Sequence, residues 1–233
     1  MDRTNTGTNT GASDKAATGP AKRLLARVRT FAAASGRGLA AAALFFAFAG
    51  GEVAAMPGQG SQMRVGAVTS QPVGHYEFCR QFPRECRIRS RDTRPVRMSH
   101  DVWAAIVDVN RRVNAHVRPV TDLALHGVAE RWSYPQGAGD CEDYVLLKRS
   151  MLMQMGLAAS DLLITVVRKR DGEGHAVLTV RTDRGDFVLD NLSDAVARWS
   201  DTPYTFLKRQ ASYHAGRWVD IEDGPATLVG AVE

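Results

Sequence analysis

The stretch GDCEDYVLLKR, residues 139–149, sets Cys141 among Asp140, Glu142 and Asp143. Cysteine does nucleophilic chemistry as a thiolate, and neighbouring carboxylates oppose that ionisation. Two further groups stand in GHAVLTVRTDRGDFVLDN, residues 174–191, where His175 and Asp190 flank two alternating runs joined by TDRG. A hairpin there places His175 opposite Asp190 and Val177 opposite Val188, and a slip of one or two residues keeps the first pair in diagonal reach. Ala176, Leu178, Val180, Phe187 and Leu189 then form an apolar face that must point to a core. An imidazole held by a carboxylate is what a general base requires. Cys141, at the start of a helix, would meet unpaired backbone N–H groups and the positive end of the dipole, which favour both a thiolate and an oxyanion. Taken singly, each residue has a plainer reading: a small buried hydrophobe, a surface His–Asp pair, a carboxylate capping a turn.

Cysteine at a helix start, then histidine and aspartate on adjoining strands, is the chain order of papain-like and transglutaminase-like folds. GDCEDYVLLKR, GHAVLTVRTDRGDFVLDN and the upstream VNRRVNAHVRPVTD resemble the bacterial transglutaminase-like cysteine protease family, over roughly residues 75–220. Better-known members of that family are calcium-dependent periplasmic proteases that release large biofilm adhesins. The resemblance implies Cys141 as nucleophile, His175 as base and Asp190 as orienting acid. It also implies a transglutaminase/papain-like α+β core, a surface or periplasmic protein as substrate, and an inner-membrane regulatory protein as a further partner. The same triad would serve a transglutaminase or other acyltransferase, and the same fold with an idle triad would serve as a binding module.

The acids around Cys141 have a structural reading and a functional one. Asp140 as N-cap with Asp143 three residues on makes a capping box. That leaves Glu142 and Asp143 working against a thiolate, a conflict that a bound hard cation would remove. Calcium takes six to eight oxygen ligands, which carboxylates and loop carbonyls of 120–139 can supply. The resemblance points to Asp140 and Glu142 as calcium ligands; Asp143, Asp122, Asn114 and backbone carbonyls are further candidates. Trp132 and Gln136 either line the cleft, assist the oxyanion site or, for the tryptophan, pack.

The elements that must position these groups follow from periodicity. Ser99 is an N-cap for a helix through Trp103, Ile106, Val109, Val113 and Val117, stopped by Pro119. Residues 120–139 read as a loop. A second helix spans Cys141 to about Met155, stopped by Gly156; it is apolar nearly all round and therefore central. Lys148 and Arg149 read as a solvated face. Three antiparallel strands follow at 162–170, 175–182 and 186–192, and Tyr204, Phe206, Trp218 and Val219 suggest another strand pair. Helices first and strands after make an α+β domain over 99–233, preceded by an irregular arm at 56–98.

Composition narrows the setting. The 233 residues are 44% hydrophobic and 24% charged, as in ordinary globular proteins. The formal charge of +5 comes largely from residues 1–55; the remainder holds 23 basic and 22 acidic residues, which gives no electrostatic case for nucleic acid or an anionic membrane. Residues 1–20 read as disordered. Lys22, Arg23, Arg27, Arg29 and Arg37 precede the apolar run GLAAAALFFAFAG, with a cleavage point after Ala55. That pattern suits a signal peptide or a retained anchor, and so export to the periplasm. In an oxidising compartment Cys79 and Cys86 are expected to pair, which leaves Cys141 as the free thiol. His75, His100, His116, His126 and His214 show no metal-ligand spacing.

Overall fold

The computed structural model describes residues 61–222; the expected leader, apolar run and cleavage point, 1–55, lie outside them. The chain enters on β1 (Val65–Thr69), followed by α1 (Val73–Gln81) and α2 (Pro83–Cys86). The long α3 (His100–His116) leads through a two-residue strand β2 (Arg118–Pro119), a short α4 (Asp122–His126) and β3 (Ala138–Gly139) into α5 (Cys141–Gln154). Strands β4 (Leu162–Arg168), β5 (Gly174–Thr182), β6 (Gly185–Asp190), β7 (Ser193–Arg198), β8 (Thr205–Ala211) and β9 (His214–Ile221) complete it. Seven strands form one antiparallel sheet in the order β1-β9-β8-β4-β5-β6-β7, and β2 and β3 pair in parallel. This is the α+β arrangement expected.

The helix ends obey local chemistry. Ser99 Oγ accepts the Val102 N–H at 3.1 Å, so α3 starts where a serine can satisfy a free donor. At the far end of α5, Gly156 takes φ +97°, its N–H bonds Met153 O and the Leu157 N–H bonds Leu152 O. Those paired bonds form a Schellman stop, and only glycine takes that φ without strain.

The core accounts for the order of elements. α5 and α3 lie on the sheet and bury Ile106, Val109, Val113, Tyr144, Val145 and Leu152 against Ala176, Leu178, Val180 and Leu189. The opposite face is buried too, where Met63, Val167, Val177, Val188, Trp199, Phe206 and Ile221 make a second apolar cluster. β5 and β6 are thus covered on both sides, which rigidifies whatever they carry.

Four expectations need correction. The arm at 56–98 is not irregular over its described part: β1 extends the sheet beside β9, and the Cys79–Cys86 disulfide ties α1 to α2. The β5–β6 hairpin is displaced by two residues, pairing Thr182 with Gly185 and Thr179 with Val188. The turn causes this, because Thr182 Oγ1 donates to Gly185 O and accepts the Arg184 N–H, while Gly185 takes φ +116°. Lys148 and Arg149 are not solvated. A helix central enough to be apolar all round buries its charged residues as well, and they are 0% and 3% exposed. Finally, 120–139 holds α4, capped by Thr121 Oγ1.

Candidate active site

With the observed register Asp190 falls level with Val177, and His175 reaches it diagonally. His175 Nε2 and Asp190 Oδ1 are 2.9 Å apart, both side chains buried. Asp190 also accepts the Leu192 N–H at 3.0 Å and the Tyr204 hydroxyl at 2.5 Å. Burial alone would raise the Asp190 carboxyl; the bonds from His175, Leu192 and Tyr204 outweigh it and hold the group below the usual carboxylate range. Tyr204 is raised in turn, by burial and then by this carboxylate. Because Nε2 is committed to Asp190, Nδ1 is the nitrogen left for proton transfer.

Asn114 belongs to this side of the site. Its amide donates to Asp190 O at 3.0 Å, Ser193 O at 3.2 Å and Asp194 Oδ1 at 3.0 Å, so it pins the turn after Asp190 and is not among the acids near Cys141. Asn110 secures the same turn through Ser193 O and Asp194 O.

Cys141 is the first residue of α5, half-buried, and the one free cysteine among the described residues. Its thiol donates to Glu142 Oε2 at 3.1 Å. Burial pushes the thiol far up, the Glu142 charge adds to that, and a hydrogen bond from the Ala176 backbone N–H opposes both. That N–H belongs to the residue after His175, so the thiol lies against the part of β5 that carries the imidazole.

The capping box is not made. Asp140 occupies the N-cap position, but its side chain caps nothing in α5; Oδ2 accepts the Asp122 N–H at 3.1 Å. Asp143 accepts from the Ser133 N–H at 2.8 Å and does not reach back to Asp140. The cap is absent because these carboxylates face the segment before the helix. Asp122, Asp140 and Glu142 each bring an oxygen within 4.8 Å of the other two, and Asp122 and Glu142 are buried. Asp122 Oδ2 takes the Arg131 N–H, while Asp122 Oδ1, Asp140 Oδ1 and Asp143 Oδ2 are buried without a hydrogen-bond partner.

Such a cluster is costly without compensation. Burial and then Asp140 raise Glu142 well above the carboxylate range; burial raises Asp143 to about 7, with the Ser133 N–H opposing. Asp122 is raised as well, mainly by burial. Oxygen-only donors, crowded, buried and partly orphaned, fit a hard divalent cation. Of the further candidates, Asp122 joins Asp140 and Glu142, whereas Asp143 lies beside the trio without being one of it.

Trp132 packs rather than lining a cleft. It is 4% exposed, its indole N–H bonds Glu130 Oε1 at 2.6 Å, and it meets the rings of His75 and Trp218 edge-on. Gly74 admits it, since a Cβ there would lie 2.3 Å from the indole. Gln136 is exposed on the loop before β3. His75 is buried within this aromatic nest beside the disulfide, its imidazole lowered to about 3 by burial and then by Arg149. Cys79 and Cys86 are spent on each other, so no ligand set remains there.

Sequence reading missed Tyr204 as a partner of Asp190 and placed Lys148 on a solvated face. Tyr204 carried no positional signal, being 14 residues from Asp190 on another strand approach. Lys148 did: a lysine seven residues after Cys141, on a helix read as buried all round, had nowhere exposed to go.

No curated protein matches this chain. Among solved structures, calcium-bound LapG of Legionella pneumophila is similar at 22% identity and a TM-score of 0.45, over 55% of this chain and 75% of that one. Its EGTA-treated form is similar at 23% and 0.43, over 51% and 67%. Residues 65–226, which take in both strands of the hairpin, the start of α5 and the acids around it, match the family described as bacterial transglutaminase-like cysteine proteinase (BTLCP). The chain belongs to that family and is a cysteine peptidase.

Proposed function

We propose that the protein is an exported endopeptidase in which Cys141 attacks the scissile carbonyl, His175 moves the proton and Asp190 orients the imidazole. The observation that carries this reading is the buried His175–Asp190 bond at 2.9 Å, beside a thiol that accepts from the Ala176 N–H of the same strand. Attack by sulfur would form the thioester as the amine leaves with a proton from His175; water then hydrolyses the thioester, with His175 taking its proton. The α5 N-terminus can hold the developing oxyanion. Tyr204 adds a third donor to Asp190, on the oxygen that His175 and Leu192 do not use.

The resting thiol is bonded to Glu142, so it is protonated and poorly nucleophilic. Calcium held by Asp122, Asp140 and Glu142 would supply positive charge that offsets these carboxylates and relieves the thiol of Glu142's field. The substrate class proposed is a surface or periplasmic protein, with cleavage on the far side of an inner membrane and an inner-membrane protein as regulator; the sequence grounds for export are the basic residues before the apolar run at 38–50.

Comparing the proteins shed from cells carrying the wild type and Cys141→Ser tests the reading. A surface protein released only by the wild type is expected. Release unchanged by Cys141→Ser would rule out Cys141 as the nucleophile, and transfer of a labelled amine to a Gln-bearing protein in place of hydrolysis would make the enzyme an acyltransferase.

A further inference from the structure

Ala138 offers backbone groups that nothing in the described chain uses. It is the first residue of β3, and β3 pairs in parallel with β2 through Arg118–Ala138 and Pro119–Gly139. The bonds across that pair run from the Arg118 N–H to Gly137 O and from the Val120 N–H to Gly139 O, both at 3.0 Å. They use the carbonyls on either side of Ala138. Successive residues of a strand direct their backbone groups to opposite edges, so the N–H and C=O of Ala138 point away from β2. Neither group has a partner among the described residues. Ala138 lines a cavity of about 670 Å³ whose apolar walls are Phe82, Leu125, Tyr134 and Pro135, with polar residues completing it. The rings of Phe82 and Tyr134 meet edge-on at 5.9 Å, and Leu125 is 36% exposed. A Cβ built on Gly137 would meet nothing within 4 Å, so the approach beside Ala138 is open. Only Gly139 and Asp140 separate Ala138 from Cys141, a Cα path of at most about 11 Å. An unpaired strand edge, an apolar cavity and the nucleophile thus meet on one short stretch of chain.

We propose that Ala138 and this cavity form a substrate subsite: an extended segment of the protein substrate adds to the free edge of β3 and places an apolar side chain among Phe82, Leu125 and Tyr134. The inference rests on Cys141 as the nucleophile of a peptidase, and deepens that reading by assigning how the peptide is held. An extended peptide residue carries one N–H and one C=O, the two groups that the Ala138 C=O and N–H lack. Main-chain bonds of this kind serve any sequence, whereas the cavity discriminates between side chains. At about 3.3 Å per extended residue, the side chain in the cavity belongs to a residue within about four positions of the bond cleaved.

The test incubates surface proteins taken from Cys141→Ser cells with the purified enzyme in calcium-containing buffer and maps the new chain termini by mass spectrometry. Short synthetic peptides spanning the mapped bond then give kcat/KM. One position near that bond should require an apolar residue, and aspartate there should cost roughly 10–100-fold, the burial of one apolar side chain. Leu125→Glu should remove that selectivity, lowering kcat/KM for the apolar peptide and not for the aspartate peptide. Ala138→Pro deletes the N–H while leaving both bonds to β2, and should slow both peptides alike by roughly tenfold. Should Ala138→Pro fail to fold, Leu125→Glu decides alone. Equal cleavage of the two peptides by the wild type, unchanged selectivity in Leu125→Glu, or wild-type rates in a folded Ala138→Pro would each overturn the subsite and leave the peptidase reading standing. No new terminus in the presence of wild-type enzyme would overturn both.

Discussion

Asp190 and Glu142 are almost equally buried, at 5% and 4% exposed, yet their surroundings are opposite. Asp190 collects hydrogen bonds from His175, Leu192 and Tyr204 and sits below the usual carboxylate range. Glu142 is surrounded by Asp140, Asp122 and Glu130, is bonded by the Cys141 thiol, and sits well above that range. One carboxylate is satisfied by the chain itself; the other becomes tolerable only with added positive charge, a proton or a cation. The difference separates a part of the site that the fold's own hydrogen bonds satisfy from a part that needs a proton or, as proposed, a cation. Cys141 answers to both, through the Ala176 N–H on one side and Glu142 on the other.

Removing a member of the finished part should have the largest effect. Cys141→Ala or His175→Ala is expected to lower proteolysis by at least about 10³-fold, as loss of a triad member does, with secondary structure by circular dichroism unchanged; residual cleavage near wild type would break the comparison at its root. Chelation comes next. It should abolish proteolysis reversibly and lower the melting temperature, since a cation present at 100 times its dissociation constant stabilises by about 2.7 kcal/mol. In Asp122→Asn/Glu142→Gln that calcium-dependent shift should disappear; a shift that survived would place the ion elsewhere. Tyr204→Phe removes one donor from Asp190 and should cost roughly tenfold in kcat with KM little changed. Equal loss through KM alone would show that Tyr204 binds substrate.

The smallest effect is on stability against pH. In calcium-free protein Asp143 is raised from 3.8 to about 7, and Glu142 is raised as well. A raised acid holds its proton in the folded chain where the unfolded chain has lost it. Its contribution is therefore full below about pH 4 and is lost as pH climbs to 7, with Glu142 extending the loss higher. Melting temperatures measured in chelator should fall over that range, and saturating calcium should flatten the curve. A calcium-free protein that instead grew more stable with rising pH would contradict the reading of these acids.

Local placement was more legible in the sequence than the connections between elements. Cys141 at a helix start, His175 and Asp190 on one hairpin, and the stop at Gly156 were legible because each follows from local periodicity and turn residues. The hairpin register was not, since it depended on Thr182 closing the turn with its hydroxyl. Asp140 sat at a cap position without capping, because a tertiary partner, the Asp122 N–H, claimed its oxygen. Asn114 looked like a metal ligand and proved to hold the turn after Asp190, a contact spanning 76 residues that no spacing rule encodes. β1 and β7 were overlooked for a common reason: β1 is exposed or half-buried throughout and β7 is polar at both ends, so neither shows a clean alternation. Lys148 looks solvated by its charge alone, yet its position on a helix central to the core buries it.

In the proposed mechanism, positive charge at the acidic cluster arms the thiol. Ultraviolet difference absorbance of the thiolate at neutral pH tests it directly, as calcium is added to chelator-treated protein. A thiolate signal is expected to appear in the wild type as calcium binds and to be absent in Cys141→Ser. Calcium binding seen by calorimetry with no change in thiolate absorbance would contradict it.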